Sequence, residues 1–87
     1  MLLYIGEDMA IPEEEILGIF DLDNTSTSHR TRTFLRKMEE QGRVESPKGN
    51  DIPRSFLLCS RQGELCIALS CSTTATLRKR HEESRLT

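Results

Sequence analysis

The chain has no Trp, one Tyr and three Phe among its 87 residues, so it lacks the large aromatic bodies that fill a deep centre. At this length only about 60 to 65% of the unfolded chain's surface is hidden on folding. A thin core in a single domain spanning 1–87 follows, and subunits that complete each other's cores are the default expectation. No run approaches the roughly 20 apolar residues that cross a bilayer. The opening Met1-Leu2-Leu3-Tyr4-Ile5 has neither the basic flank nor the length of a signal peptide. No membrane partner and a cytoplasmic location are expected.

Catalytic and ligand motifs are also missing. The chain contains no phosphate-cradling G-x-x-x-x-G-K-[ST] and no G-x-G-x-x-G. No Cys/His pair has zinc spacing, and Glu13-Glu14-Glu15 lacks the alternation and glycine of a calcium loop. His29 and His81 lie far apart, and neither stands beside a nucleophile or acid in a catalytic spacing. No enzymatic activity, catalytic residue, metal, cofactor or small-molecule substrate is expected. Three cysteines on strand-like segments read as reduced thiols packed as small hydrophobes rather than as a disulfide framework.

Basic charge is absent from one end. Residues 1–28 carry seven acids and no Lys or Arg, whereas residues 29–87 carry all twelve basic residues and seven acids, a balance of +5 within a total of −2. The N-terminal third repels phosphate and the remainder attracts it.

Residues 51–70, DIPRSFLLCSRQGELCIALS, organise the rest. Two apolar runs flank Arg61-Gln62-Gly63-Glu64, the signature of a β-hairpin with Gln62 and Gly63 at its tip. Arg61 then faces Glu64, as a local ion pair, and Cys59 faces Cys66, Leu57 Ala68 and Phe56 Leu69. Alternation puts Phe56, Leu58, Leu65, Ile67 and Leu69 on one face and Leu57, Cys59, Cys66 and Ala68 on the other. A hairpin apolar on both sides is central, with a helix covering one face; the second face is assigned to self-assembly.

Before the hairpin, Leu2 to Ile5 and Met9 to Ile11 read as short edge strands, and Ile16 to Phe20 as a strand buried on both faces, with a helical turn over 13–17 as an alternative. Asn24, Thr25, Ser26 and Ser28 are candidate caps. Thr31, Phe34, Leu35 and Met38 at helical spacing, with Gly42 placed for a left-handed cap, predict a helix over about 27–41. Its charges oppose its dipole, Arg30, Arg32, Arg36 and Lys37 preceding Glu39 and Glu40. A short strand falls at Val44. After the hairpin a second helix is expected over roughly 72–82, with Leu77 inward and the tail from Glu82 frayed. The fold class is α+β: a small, mostly antiparallel sheet around the 54–70 hairpin, one main helix and a short C-terminal helix.

Five segments taken in order resemble a known family: YIGED with the following IP (Tyr4 to Asp8, Ile11-Pro12), EILGIFD (Glu15 to Asp21), Phe34-Leu35 of the helix, IPRSFLL (Ile52 to Leu58), and S-x-S-T-T-A-T-L-R-K-R (Ser70 to Arg80). The chain resembles the small bacterial regulators of extracellular matrix genes, the RemA and RemB family, and is more similar to RemB-type members. The resemblance implies a transcriptional regulator of biofilm matrix operons that binds double-stranded DNA without an enzymatic step. It implies a LytTR-like fold and a homo-oligomer, ring-like in RemA-type members. By the same resemblance Arg54 and the run Arg78, Lys79 and Arg80 are its basic contacts. Lys48, in the loop before the hairpin, and Arg32, on the helix, complete the set on electrostatic grounds. The alternative reading is an oligomeric structural or adaptor protein that contacts other proteins through its acidic N-terminal segment and does not touch DNA.

Overall fold

In a computed structural model, residues 1–6, 9–22, 28–47 and 51–86 are described. β5 (Ser55–Arg61) and β6 (Glu64–Ser70) form the expected hairpin, register included: Phe56 pairs with Leu69, Leu57 with Ala68, Cys59 with Cys66 and Arg61 with Glu64. Gln62 and Gly63 at the tip both have positive φ, 53° and 81°, as a two-residue turn matched to strand twist requires. β3 (Ile16–Asp21) adds antiparallel to β5, and β4 (Val44–Glu45) adds parallel to β6, giving the order β3-β5-β6-β4. This is an α+β fold in which the hairpin is central.

One face carries α1 (His29–Glu40), whose Phe34, Leu35 and Met38 pack with Phe56, Ile67, Leu58 and Leu69. The helix ends as expected. Gly42 adopts φ 70°, its N–H bonds the Glu39 carbonyl at 3.0 Å, and the Arg43 N–H bonds the Met38 carbonyl at 2.9 Å. That is a Schellman closure. It turns the chain directly into β4, where the Arg43 carbonyl accepts from the Ile67 N–H at 2.8 Å. The caps proposed at Asn24, Thr25 and Ser26 lie outside the described residues; Ser28 is the N-cap residue and makes no side-chain capping bond.

The second face corrects an expectation. It is not left for another subunit, because β1 (Leu2–Tyr4) and β2 (Ala10–Pro12) pair antiparallel and lie over it. Leu3, Ile5, Ile11 and Leu77 bury against Leu57, Cys59 and Ala68. A thin sheet gains more from covering both faces within the chain than from waiting for a partner. Leu77 belongs to α2 (Thr74–Leu86), where the Thr73 hydroxyl accepts from the Thr76 N–H at 3.2 Å. The helix does not fray at Glu82; it continues through Leu86.

β3 is likewise not buried on both faces. It is an edge strand, preceded by a 3-10 turn over Glu13–Glu15, and a bulge between Ile16 and Gly18 turns Leu17 outward, leaving it 59% exposed. Phe20 lies over Gly18 and stacks on Phe56 with ring centroids 5.0 Å apart. Although Arg61 and Glu64 are opposite in the ladder, their side chains form no ion pair. The Arg61 Nε donates to Glu15 at 2.9 Å and its Nη1 to Glu45 at 3.0 Å, because its side chain lies on the second face, where both sheet edges present a carboxylate. These carboxylates, Glu15 first, hold the Arg61 proton more firmly than usual. Glu64 pairs instead with Arg43 at 3.6 Å.

Candidate nucleic-acid interface

The end of the sheet opposite the hairpin tip is tied by buried serines. Ser55 and Ser70 face each other across β5 and β6 and are fully buried. Polar side chains survive such burial only when bonded. The Ser55 hydroxyl donates to the Ser72 carbonyl at 2.7 Å, and the Ser70 hydroxyl donates to the Ile5 carbonyl at 2.6 Å while accepting from the Ser72 N–H at 3.1 Å. The central hairpin, the entry to α2 and the β1–β2 layer are therefore fastened at one place.

Arg54 projects from that place. Its N–H donates to the Ser70 carbonyl at 2.8 Å and its carbonyl accepts from the Leu22 N–H at 3.1 Å, while its side chain is exposed. Backbone bonds on both sides give a long cationic side chain a rigid base. The chain leaves β3 for α1 and leaves β6 for α2 at this same end. Arg32 lies on the exposed side of α1, one helical turn before Arg36. Lys48 lies outside the described residues.

The run Arg78, Lys79 and Arg80 does not form one patch. Successive helical residues are about 100° apart around the axis, and Leu77 faces the core. Arg80 turns toward the serine-tied end, where its Nη1 donates to the Tyr4 carbonyl at 3.0 Å and the Ser72 hydroxyl at 3.3 Å. It borders an open groove of about 520 Å³ with Tyr4, Met9, Asp51 and Cys71. Arg78 lies on the other flank, beside a groove of about 290 Å³ floored by Leu3, Ile16 and Ile19. Lys79 is exposed. The structure thus brings Arg54 and Arg80 to one end of the sheet and sets Arg78 apart.

Other polar features were not anticipated in the sequence. His81 Nδ1 meets Glu13 Oε1 at 3.1 Å and the N-terminal amine meets Glu14 at 3.2 Å. A backbone hydrogen bond first, and then the amine, hold the Glu14 carboxyl below its usual range. Each joins groups far apart in sequence, so no local spacing announces it. Burial, reinforced by Cys66, pushes the Cys59 thiol up to about 12. Cys59, Cys66 and Cys71 are all free thiols. Among the described residues no group of three or more His, Cys, Asp or Glu is placed to hold a metal ion, and no helix is long and apolar enough to cross a membrane. No family model matches the chain, and no curated protein matches it either.

Proposed function

We propose that the protein is a cytoplasmic DNA-binding transcriptional regulator of extracellular matrix genes that acts as a homo-oligomer. The reading joins the resemblance of its segments to the RemA and RemB family, with the LytTR-like fold that this implies, to one observation. Arg54 is an exposed cation whose backbone is bonded on both sides at the sheet end from which both helices depart. A preset base lowers the ordering cost of a phosphate contact. Arg54 and Lys48 make the principal contacts, and Arg32, Lys79 and Arg80 support them, Arg78 lying on the other flank. One subunit of net charge −2 binds weakly; copies aligned in an oligomer multiply small contacts by avidity.

Titration of long duplex DNA by fluorescence anisotropy across salt concentrations tests this. Arg54→Ala is expected to lower the slope of log affinity against log salt by about 0.9 for each phosphate contact removed, with the oligomer's mass by light scattering unchanged. Wild-type protein that shifts no DNA at low salt refutes the reading. Exposed Leu17 and Ile52 favour protein contacts, so the adaptor reading takes over in that case.

A further inference from the structure

We infer that the groove between β3 and α2 receives Asp51 and Ile52 of a second copy of this chain. The interface rests on the homo-oligomer part of the reading above and does not depend on DNA contact.

Ile52 is 83% exposed, the highest value among the exposed large hydrophobic residues described. A single exposed aliphatic side chain is ordinary; one on a segment whose charge complements an apolar-floored groove elsewhere on the same molecule is less so. The groove is floored by Leu3, Ile16 and Ile19, with the bulged Leu17 at its rim, and its polar walls are Arg78 and the Glu13 carboxylate, which His81 engages at 3.1 Å. Its volume of about 290 Å³ accommodates an aliphatic side chain. β3 is an outer strand, hydrogen-bonded to β5 alone within the sheet, so nothing of the sheet lies beyond it.

Charge selects the occupant. Asp51 precedes Ile52, and its carboxylate matches Arg78 when Ile52 enters the groove. Among the described residues neither Asp51 nor Arg78 forms an ion pair within its own chain. The chain does not fill its own groove, because Asp51 borders the Arg80 groove on the other flank of α2 from Arg78. Donor segment and receiving groove are different surfaces, so the contact is heterologous and propagates head to tail, closing into a ring or extending as a filament. Arg78 thereby stays outside the phosphate-contacting set.

Light scattering after size exclusion, at micromolar concentration, tests the interface. The wild-type chain is expected as a multimer. Ile52→Asp is expected to weaken self-association roughly ten- to hundredfold, the range that losing one buried Ile corresponds to. Arg78→Asp is expected to do so by a smaller factor. Combining Asp51→Arg with Arg78→Asp restores the multimer, because the charges are exchanged rather than removed. All three side chains are exposed, so these variants keep the fold. A wild-type mass of one chain, single variants that retain the wild-type mass, or a double variant no better than Arg78→Asp each overturn the inference. DNA titration on the same samples separates the two proposals: an intact multimer that ignores DNA removes the regulator and leaves the interface.

Discussion

Gly18→Ala tests whether the outer strand is shaped by one aromatic ring. A Cβ at residue 18 falls 2.8 Å from Phe20 Cε2 and 2.9 Å from Cζ, nearer than real carbon contacts, so the ring must move. Phe20 is 36% exposed and can swing outward without displacing the backbone. Swinging costs its stack on Phe56, at 5.0 Å and 21°, about 0.5 to 1.5 kcal/mol for such a pair. Exposing on the order of 50 to 100 Å² of apolar ring costs about 1 to 2.5 kcal/mol more. Against this, replacing a strand glycine by alanine recovers about 0.5 to 1 kcal/mol of chain entropy. The losses win, and the net destabilisation is about 1 to 3 kcal/mol by these figures. Urea unfolding at fixed protein concentration measures it, since assembly makes apparent stability depend on concentration. The decisive comparison is the cycle with Phe20→Ala. Once the ring is gone, Gly18→Ala is expected to be neutral or stabilising. Equal effects in the two backgrounds, or a Gly18→Ala protein as stable as wild type, refute the reasoning.

Ser70→Ala strands the Ile5 carbonyl and the Ser72 N–H in a buried site, and a loss of about 1 to 3 kcal/mol is expected in the same urea assay. Arg61→Met gives up two short ion pairs, yet exposed pairs contribute roughly 0 to 1 kcal/mol; a small change in melting temperature that shrinks further at high salt is the expected result. Cys59, buried and with its thiol pushed up to about 12, is expected to resist iodoacetamide at mildly alkaline pH in the folded protein while the half-buried Cys66 and Cys71 are alkylated first. Peptide mass mapping reads the order, and unfolding in urea should abolish it.

What the sequence revealed and what it hid divide along sequence separation. The hairpin register was legible because a two-residue turn leaves one pairing in which the apolar faces stay intact. The close of α1 was legible because Gly42 follows the last inward position at the distance a left-handed cap needs. The layer over the second face was not legible. Leu2 to Ile5 reads as an edge strand whichever sheet it joins, and only the assembled fold shows Ser70 reaching back to Ile5. Arg61 illustrates the same limit at the candidate site. Its nearest acid in sequence is Glu64, which stands opposite it on the same face, but Glu15 and Glu45, brought in from the two sheet edges, take its hydrogen bonds instead. The exposure of Arg54 could be anticipated at a strand start after a proline. The separation of Arg78 from Arg80 was available from helical geometry once Leu77 was taken as inward, and treating the run as one cluster missed it.

That same long-range pairing alters the meaning of the acidic N-terminal third. As a sequence it opposes phosphate, but in the fold two of its acids meet groups from elsewhere, Glu13 with His81 and Glu15 with Arg61, and Glu14 meets the terminal amine. A carboxylate with a neighbouring cation, as at Glu14 and Glu15, presents a dipole to a distant anion, and beyond the Debye length, about 8 Å at physiological salt, little of that field remains. The paired acids are gathered at the 3-10 turn before β3, whereas Arg54 stands where β5 begins and β3 ends, at the other end of that outer strand. A six-residue strand separates them by about 20 Å, more than twice the screening length. The net charge of −2 therefore says little about the field at Arg54, which is set by the groups around the serine-tied end.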